Sequence, residues 1–339
     1  MISSTSGSRD VQTQAEKGYR FSLRSGGTQR AGDLRELARR AEGTGYAGLL
    51  FTDHYLGPGT AMASANHPAQ DLAPIPMAVV AAEATDRLHV GFRVLCVDYH
   101  NPVVLAKELA TIDDLSGGRL EIGLGAGWIG AEYDAMGIAF ESASARIRRL
   151  GDVVDLLREL YANETELSMT RDSGVRAVGF KAWTTDGSRR CPPIAIGGGG
   201  AKVLDLAAHK ADILAINFDN RAGALTPDGA TRTAHDQLAE RLSRVRAAAG
   251  ERWPHLRIEA GVVAAAIADD RVAAASRFEP LFGMPAEAVL EHPLCLIGDV
   301  AQVVDRVQEL RERYGVTDFT IRDGLLDEFE PVLARLPEL

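Results

Sequence analysis

Short apolar runs alternate with stretches of helical periodicity along most of the chain. Eight of these runs have the length and composition of buried strands, and they lie at residues 19–23, 47–52, 88–97, 119–124, 193–196, 212–216, 257–267 and 318–321. Between them, apolar residues recur every three to four positions, as in Ile147, Leu150, Val154 and Leu157, a spacing typical of helices that cover a sheet. This alternation predicts an α/β protein with a closed (β/α)8 TIM barrel. An open, doubly wound sheet is the alternative.

Capping residues mark several predicted helix boundaries. Asn101 followed by Pro102 begins the helix after the third strand, and Asp299 begins a helix that ends at Gly315. A further helix is predicted over residues 228–249.

Two longer segments interrupt the alternation of strands and helices. Residues 53–75 follow the second strand and residues 162–191 follow the fourth, and both are predicted to be irregular insertions. Because no Pro- or Ser-rich linker divides the chain, we predict one barrel domain over residues 19–339. Residues 1–18 are polar and lack the apolar segment of a signal peptide, so they are predicted to form a disordered tail.

Composition narrows the range of partners and compartments. The chain has 339 residues, 46% of them hydrophobic, which is enough for a large core. A net charge of −10 argues against nucleic-acid and anionic-membrane partners, and no stretch is long and apolar enough for a membrane span. The cysteines are scattered and no histidines have metal-ligand spacing, so we predict a soluble cytoplasmic protein without a metal site.

The residues that follow the strands are the candidates for chemistry, since barrel active sites lie at the carboxyl ends of strands. Asp53 and His54 follow the second strand, where a carboxylate and an imidazole can perform acid–base catalysis or bind a heterocycle. The alternative is a turn-forming aspartate beside a surface histidine. His100, after the third strand, is a second candidate.

Glycine runs follow two other strands. Gly197, Gly198, Gly199 and Gly200 lead into a helix that begins near Ala201 and carries Lys202 in its first turn. Bare amides at a helix N-terminus suit a phosphate, and the alternative is a flexible loop. Gly125, Gly127 and Trp128 follow the fourth strand, and Trp128 could either stack on an aromatic ligand or make an ordinary rim contact. The G-x-G-x-x-G spacing there lacks the later acidic residue of a Rossmann site.

These segments together resemble the luciferase-like monooxygenase superfamily, and within it the branch of oxidoreductases that depend on coenzyme F420, a deazaflavin. The similar segments are residues 49–54 (Leu-Leu-Phe-Thr-Asp-His), the run from Asn101 to Trp128, and residues 192–200 (Pro-Pro-Ile-Ala-Ile-Gly-Gly-Gly-Gly). The resemblance extends over residues 21–321. It implies a (β/α)8 barrel, a homodimer, and a tricyclic ring in the barrel mouth.

The resemblance also implies roles for individual residues. His54 would lie beside the reactive face of the ring and Asp53 would contact the ring, and both are candidate catalytic residues. A bulge with a non-prolyl cis peptide bond would fall nearest Arg93 and Val94. The full set of predicted cofactor-binding residues is Asp53, His54, Arg93, Val94, Leu95, Cys96, Gly125, Gly127, Trp128, Gly197, Gly198, Gly199, Gly200, Ala201 and Lys202.

The function that this resemblance implies is hydride transfer between reduced F420 and a small-molecule substrate with an imine, alkene or carbonyl group, in either direction, with His54 as proton donor. One alternative is an FMN-dependent monooxygenase, and another is a barrel that binds the cofactor without catalysis. Relatives that oxidise sugar phosphates carry a glutamate where this chain has Ala126, which argues against that substrate. We expect the substrate determinants in the two insertions and near residues 278–292.

Overall fold

The computed structural model of the protein describes residues 18–26, 31–57, 59–64, 67, 69–162, 166–180, 190–220, 223 and 226–336. Apart from Gly18, the predicted disordered tail lies outside the described residues.

Eight parallel strands close into a barrel. In chain order its strands are β1 (Arg20–Ser25), β2 (Gly48–Phe51), β3 (His89–Phe92) with its continuation β4 (Leu95–Cys96), β5 (Leu120–Gly125), β8 (Ile194–Gly198), β9 (Ile213–Ile216), β10 (Arg257–Gly261) and β13 (Val316–Arg322). Around the barrel they pair in the order β3-β2-β1-β13-β10-β9-β8-β5, and a pairing of β3 with β5 closes the ring. The closed barrel confirms the predicted fold over the open sheet.

Helices cover the outside of the barrel. They are α1 (Ala31–Thr44), α2 (Thr60–Ser64), α3 (Pro74–Glu83), α4 (Pro102–Leu115), α5 (Gly130–Ala135), α6 (Ala143–Ala162), α7 (Ala201–Lys210), α8 (Pro227–Thr231), α9 (His235–Ala249), α10 (Arg271–Ser276), α11 (Glu279–Phe282), α12 (Ala286–Leu290), α13 (Val300–Tyr314) and α14 (Leu326–Leu333). Short 3-10 helices occupy Val97–Tyr99, Gly250–His255 and Asp323–Leu325. None of the described helices is both long enough and apolar enough to cross a bilayer.

The predicted caps are confirmed. The Asn101 side chain accepts hydrogen bonds from the first-turn amides of α4, and Pro102 occupies its first position. Asp299 and Gln302 form a reciprocal capping box at the start of α13. Gly315 ends that helix with a left-handed φ of 71°, which glycine adopts without the strain of a side chain.

Two predicted strands and one predicted helix are each divided in the structure. The run 88–97 becomes β3 and β4, and the Arg93–Val94 peptide bond between them is cis, where the resemblance places it. The run 257–267 becomes β10 and β11 (Ala264–Ile267), because β11 leaves the barrel to pair with β12 (Cys295–Gly298). The helix predicted over 228–249 is divided into α8 and α9.

The two insertions contain regular structure that was predicted to be irregular. Residues 53–75 include the short helix α2, and residues 162–191 include the antiparallel hairpin of β6 (Leu167–Thr170) and β7 (Arg176–Phe180). In β6, Leu167 and Met169 are buried while Ser168 and Thr170 are exposed, so one face of the hairpin packs on the body of the protein. Such a short alternation is too brief to be distinguished from a loop by sequence alone.

The amino ends of the strands carry an ion network inside the barrel. Arg20 Nη1 lies 3.4 Å from Glu121 Oε2, and Arg257 Nη1 lies 3.7 Å from the same oxygen. Asp318 also contacts both arginines. These charges occupy the end of the barrel away from the residues predicted to perform chemistry.

Candidate active site

A cavity of about 1000 Å³ opens at the carboxyl ends of the barrel strands. This is the end at which the sequence places the candidate residues. Predicted residues that line the cavity are Asp53, His54, Arg93, Val94, Cys96, Gly125, Gly127, Trp128, Gly197, Gly198, Gly199 and Gly200. The structure therefore brings segments from four different strands to one site.

Three of the predicted cofactor-binding residues do not line this cavity. Leu95 is fully buried in the core behind it. Ala201 and Lys202 begin α7 with exposed side chains, and Lys202 Nζ donates a hydrogen bond to Ser144 Oγ at 2.5 Å. Direct cofactor contacts for these three residues remain a prediction from the sequence.

His54 is held by a buried carboxylate that sequence analysis did not identify. Glu132, in α5, is fully buried, and its Oε2 lies 2.9 Å from His54 Nδ1. The same side chain accepts hydrogen bonds from the Tyr55 amide at 3.0 Å and from the Tyr99 hydroxyl at 3.1 Å. Because an ionised carboxylate can only accept, this arrangement places a proton on His54 Nδ1.

The ionisation of Glu132 follows from this environment. Burial by itself would raise the pKa of the carboxyl group, but hydrogen bonds from His54, Tyr55 and Tyr99 together outweigh burial and lower that pKa below its ordinary value. Glu132 is therefore an anion at neutral pH, and it fixes the orientation and the tautomer of the imidazole. A carboxylate that orients a histidine in this way is typical of acid–base sites.

Asp53 lies beside His54 and retains one free carboxylate oxygen. Its Oδ2 accepts a hydrogen bond from the Cys96 amide at 2.8 Å and lies 2.9 Å from His100 Nε2. Its Oδ1 is buried and makes no hydrogen bond within the described part of the chain. A buried acceptor without a partner is costly, so Asp53 is prepared to receive a donor from a ligand. His100 contacts Asp53 and does not itself line the cavity.

Glycines surround the Val94 side chain at the floor of the cavity. A Cβ atom added to Gly125 would lie 2.7 Å from Val94 Cγ2, and one added to Gly197 would lie 3.2 Å from Val94 Cγ1 and 2.9 Å from Asn217 Nδ2. Any side chain at either glycine would therefore crowd Val94. Glycine at both positions therefore leaves room for Val94, whose side chain lines the cavity.

The rest of the glycine run, with Val203 of α7, lines an adjoining part of the cavity. Gly200 is the N-cap of α7, and the first amides of a helix have no partner within the helix. Arg241, in α9, brings a guanidinium within 3.2 Å of a Cβ atom added to Gly199, and its Nη2 lies 3.2 Å from Asp219 Oδ2. Amides and a guanidinium together suit an anion. The sequence did not indicate Arg241, because its helix is distant along the chain from the glycine run.

Aromatic rings cover the entrance near His54. The His67 ring lies 4.1 Å from the His54 ring and 5.8 Å from Trp128, measured between centroids. Trp128 meets His54 edge-on at 6.3 Å. His67 comes from the first insertion, and no spacing in the sequence indicated that it would reach the site.

The fold and the cavity define the class of this protein, a (β/α)8 barrel with a large cavity at the carboxyl ends of its strands. Within that class, the chain belongs to the luciferase-like monooxygenase family, whose sequence profile matches residues 12–293. The family match confirms the resemblance found in the sequence.

Known relatives include two types of enzyme. The chain is 32% identical over 148 residues to an F420-dependent glucose-6-phosphate dehydrogenase of Amycolatopsis mediterranei, covering 43% of this chain and 42% of the relative. It is 28% identical over 182 residues to a limonene 1,2-monooxygenase of Rhodococcus erythropolis, covering 51% of this chain and 44% of the relative. In the first three curated relatives that it matches, the chain spans 42% to 58% of their length.

Solved structures share the fold over nearly the whole chain. An F420-dependent secondary alcohol dehydrogenase, in complex with an F420-acetone adduct, has a TM-score of 0.72 and 16% sequence identity, covering 95% of this chain and 100% of that chain. At this identity the likeness establishes the barrel alone.

Proposed function

We propose that this protein is an oxidoreductase that transfers a hydride between coenzyme F420 and a small organic substrate. The observation that carries the proposal is the pairing of His54 with the buried Glu132 at the edge of a cavity that also holds a bare glycine run. Relatives named as F420-dependent enzymes support this choice of cofactor.

The residues of the cavity fit such a cofactor. Val94, Gly125 and Gly197 line the floor and would hold the tricyclic ring, since Val94 keeps its place there only because neither glycine has a Cβ atom. The orphaned Asp53 Oδ1 suits a donor on the ring edge. The amides at Gly199 and Gly200 suit the acidic tail. When bound, F420 supplies hydride transfer at the carbon that replaces flavin N5.

The protein's own contribution is to place and supply a proton. Glu132 fixes the proton of neutral His54 on Nδ1, so the other ring nitrogen, Nε2, is the atom that exchanges a proton with the substrate. Protonated His54 donates from Nε2, and neutral His54 accepts there in the reverse direction.

An FMN-dependent monooxygenase is the second candidate. The similarity to limonene 1,2-monooxygenase, which covers 51% of this chain, favours it. The same floor and the same glycine run would accept a flavin mononucleotide. Assembly as a homodimer and location in the cytoplasm remain predictions from the sequence.

Titration of the purified protein with oxidised F420 and with FMN, followed by fluorescence quenching, tests the proposal. We expect F420 to bind at least tenfold more tightly than FMN, and a panel of alcohols to reduce bound F420 anaerobically. The His54→Ala variant should retain cofactor affinity and lose about 10²-fold or more in turnover. Preferred binding of FMN, with substrate-dependent oxygen uptake when FMNH2 is supplied, would assign the protein to the monooxygenases instead.

A further inference from the structure

Two arginines stand side by side at the mouth of the barrel, outside the machinery assigned above. Arg24 of β1 and Arg322 of β13 are partners in the register of two adjacent parallel strands. Adjacent strands are separated by about 4.8 Å. Both side chains line the cavity, so the two guanidinium groups share one sector of its wall.

Within the described residues, neither guanidinium makes a hydrogen bond or an ion pair. The deeper Arg93 differs in this respect, because its Nε donates to Glu259 Oε1 at 2.5 Å and its Nη2 donates to the Ile216 carbonyl at 3.4 Å. Five donors on each unpaired guanidinium are therefore available to a ligand.

The charges around Arg24 favour an added anion. Burial, followed by repulsion from Arg322 and Arg93, lowers the pKa of Arg24 to about 10, while Glu259 and Asp323 act in the opposite direction. Arg24 remains protonated at neutral pH, where three guanidinium groups face two carboxylates. An additional negative charge would relieve this imbalance.

We propose that Arg24 and Arg322 form an anion subsite that binds a carboxylate of the organic substrate. The planar fork of a guanidinium matches the geometry of a carboxylate, and this pair offers two of them. This inference rests on the proposed function, since it assigns a chemical class to the substrate of that site. It makes a carboxylic acid that also carries the reducible or oxidisable group the preferred substrate.

The position of the pair distinguishes the substrate from the cofactor as the source of the anion. In the closed ring of eight strands, β1 and β8 are four strands apart in either direction, so Arg24 lies across the barrel from the glycine run. A cofactor tail held at Gly199 and Gly200 is therefore directed away from Arg24. The acid that reaches the arginine pair belongs to the other ligand.

Benzoate and its neutral isostere benzamide test the subsite by isothermal titration calorimetry. Each is titrated into the F420-loaded protein and into the cofactor-free protein. We expect benzoate to bind about tenfold or more tightly than benzamide. Arg24→Gln and Arg322→Gln should each weaken benzoate binding about tenfold or more and leave the F420 dissociation constant within about twofold. Arg24→Lys should restore part of the benzoate affinity.

Arg40→Gln is the matched control, because Arg40 is exposed and pairs with Asp327 away from the cavity. It should change neither affinity. Equal binding of benzoate and benzamide, or unaltered benzoate binding by folded Arg24 and Arg322 variants, would overturn the proposal. A third result would also overturn it. In that case the Arg24 and Arg322 variants would bind F420 more weakly but would bind normally a deazaflavin chromophore that lacks the acidic tail. Failure of wild-type protein to bind F420 would refute the proposed function, while benzoate binding to cofactor-free protein would still decide the subsite.

Discussion

Replacing Glu132 with glutamine removes a buried charge while keeping nearly the same shape. The carboxylate faces three donors, on His54, Tyr55 and Tyr99, at 2.9 to 3.1 Å. Hydrogen bonds to a charged group contribute about 1.5–3 kcal/mol each, and neutral ones about 0.5–1.5 kcal/mol. Converting three bonds therefore costs about 3 kcal/mol of unfolding free energy. The glutamine Oε1 keeps the bond from the Tyr55 amide, while its NH2 takes the place of Oε2 and faces two former donors, His54 and Tyr99. His54 is free to adapt by moving its proton from Nδ1 to Nε2, and the Tyr99 hydroxyl can turn to accept.

Two measurements test this prediction. Urea unfolding at pH 7 should give Glu132→Gln a free energy of unfolding lower by about 2–4 kcal/mol. Glu309→Gln, in a partly exposed glutamate that pairs with Arg306 and Arg313, should lose less than about 1 kcal/mol. Nitrogen-15 spectra of histidine-labelled protein should show the His54 proton on Nδ1 in the wild type and on Nε2 in Glu132→Gln.

The stabilisation by Glu132 should also depend on pH, in a direction that its pKa sets. Because the pKa of folded Glu132 lies below its ordinary value of 4.5, folding favours the ionised form. The stabilisation is present above pH 4.5 and is lost as the pH falls through the lower folded pKa. The difference between wild type and Glu132→Gln should therefore narrow below pH 4.5. Equal stability at pH 7, or an unchanged His54 tautomer, would refute the assignment of Glu132 as the residue that positions His54.

Two further predictions concern stability elsewhere in the barrel. Gly198→Ala should lower the free energy of unfolding by about 1–3 kcal/mol, because its Cβ would overlap Val203 Cγ1 and lie 3.1 Å from Val203 Cγ2. Gly200→Ala has no atom within 4 Å of its Cβ. It should change the free energy of unfolding by less than about 1 kcal/mol, because the lower entropy of the unfolded chain offsets the weaker N-cap that alanine makes. Thermal unfolding of both variants decides this, and the reverse order would contradict it. His292 is buried, and burial lowers its pKa from 6.5 to about 4. As the pH falls, the unfolded chain therefore takes up this proton before the folded protein does. Up to about 3 kcal/mol of unfolding free energy should be lost between pH 6.5 and pH 4. His292→Asn should show a shallower loss in urea unfolding across that range, and parallel curves would argue against it.

The sequence predicted helix boundaries correctly where a local pattern is compatible with only one backbone conformation. The side chain of Asn101 and the left-handed φ of Gly315 end helices by local geometry, and both boundaries appear as predicted. Apolar runs marked the strands but not their partners, so the departure of β11 from the barrel to pair with β12 was not foreseen. A run that is buried on both faces looks the same whichever neighbour it joins.

The sequence likewise predicted some residues of the candidate site and not others. Asp53 and His54 could be identified because they directly follow an apolar strand. Glu132 could not, since an acidic residue in the first turn of a short helix ordinarily lies in solvent. Its burial depends on where α5 packs against the residues that follow β2.

The order of apolar and polar residues alone predicted a (β/α)8 barrel, with an open doubly wound sheet as the alternative, and indicated the carboxyl ends of the strands as the place for a site. Periodicity and capping are local properties, and the barrel is the simplest structure that satisfies them all. Only the tertiary structure decided which side chains meet in the cavity. The contacts of His54 with Glu132, of Val94 with Gly125 and of Arg24 with Arg322 join residues that are distant along the chain. Their distances are set by barrel closure, and no spacing in the sequence records them.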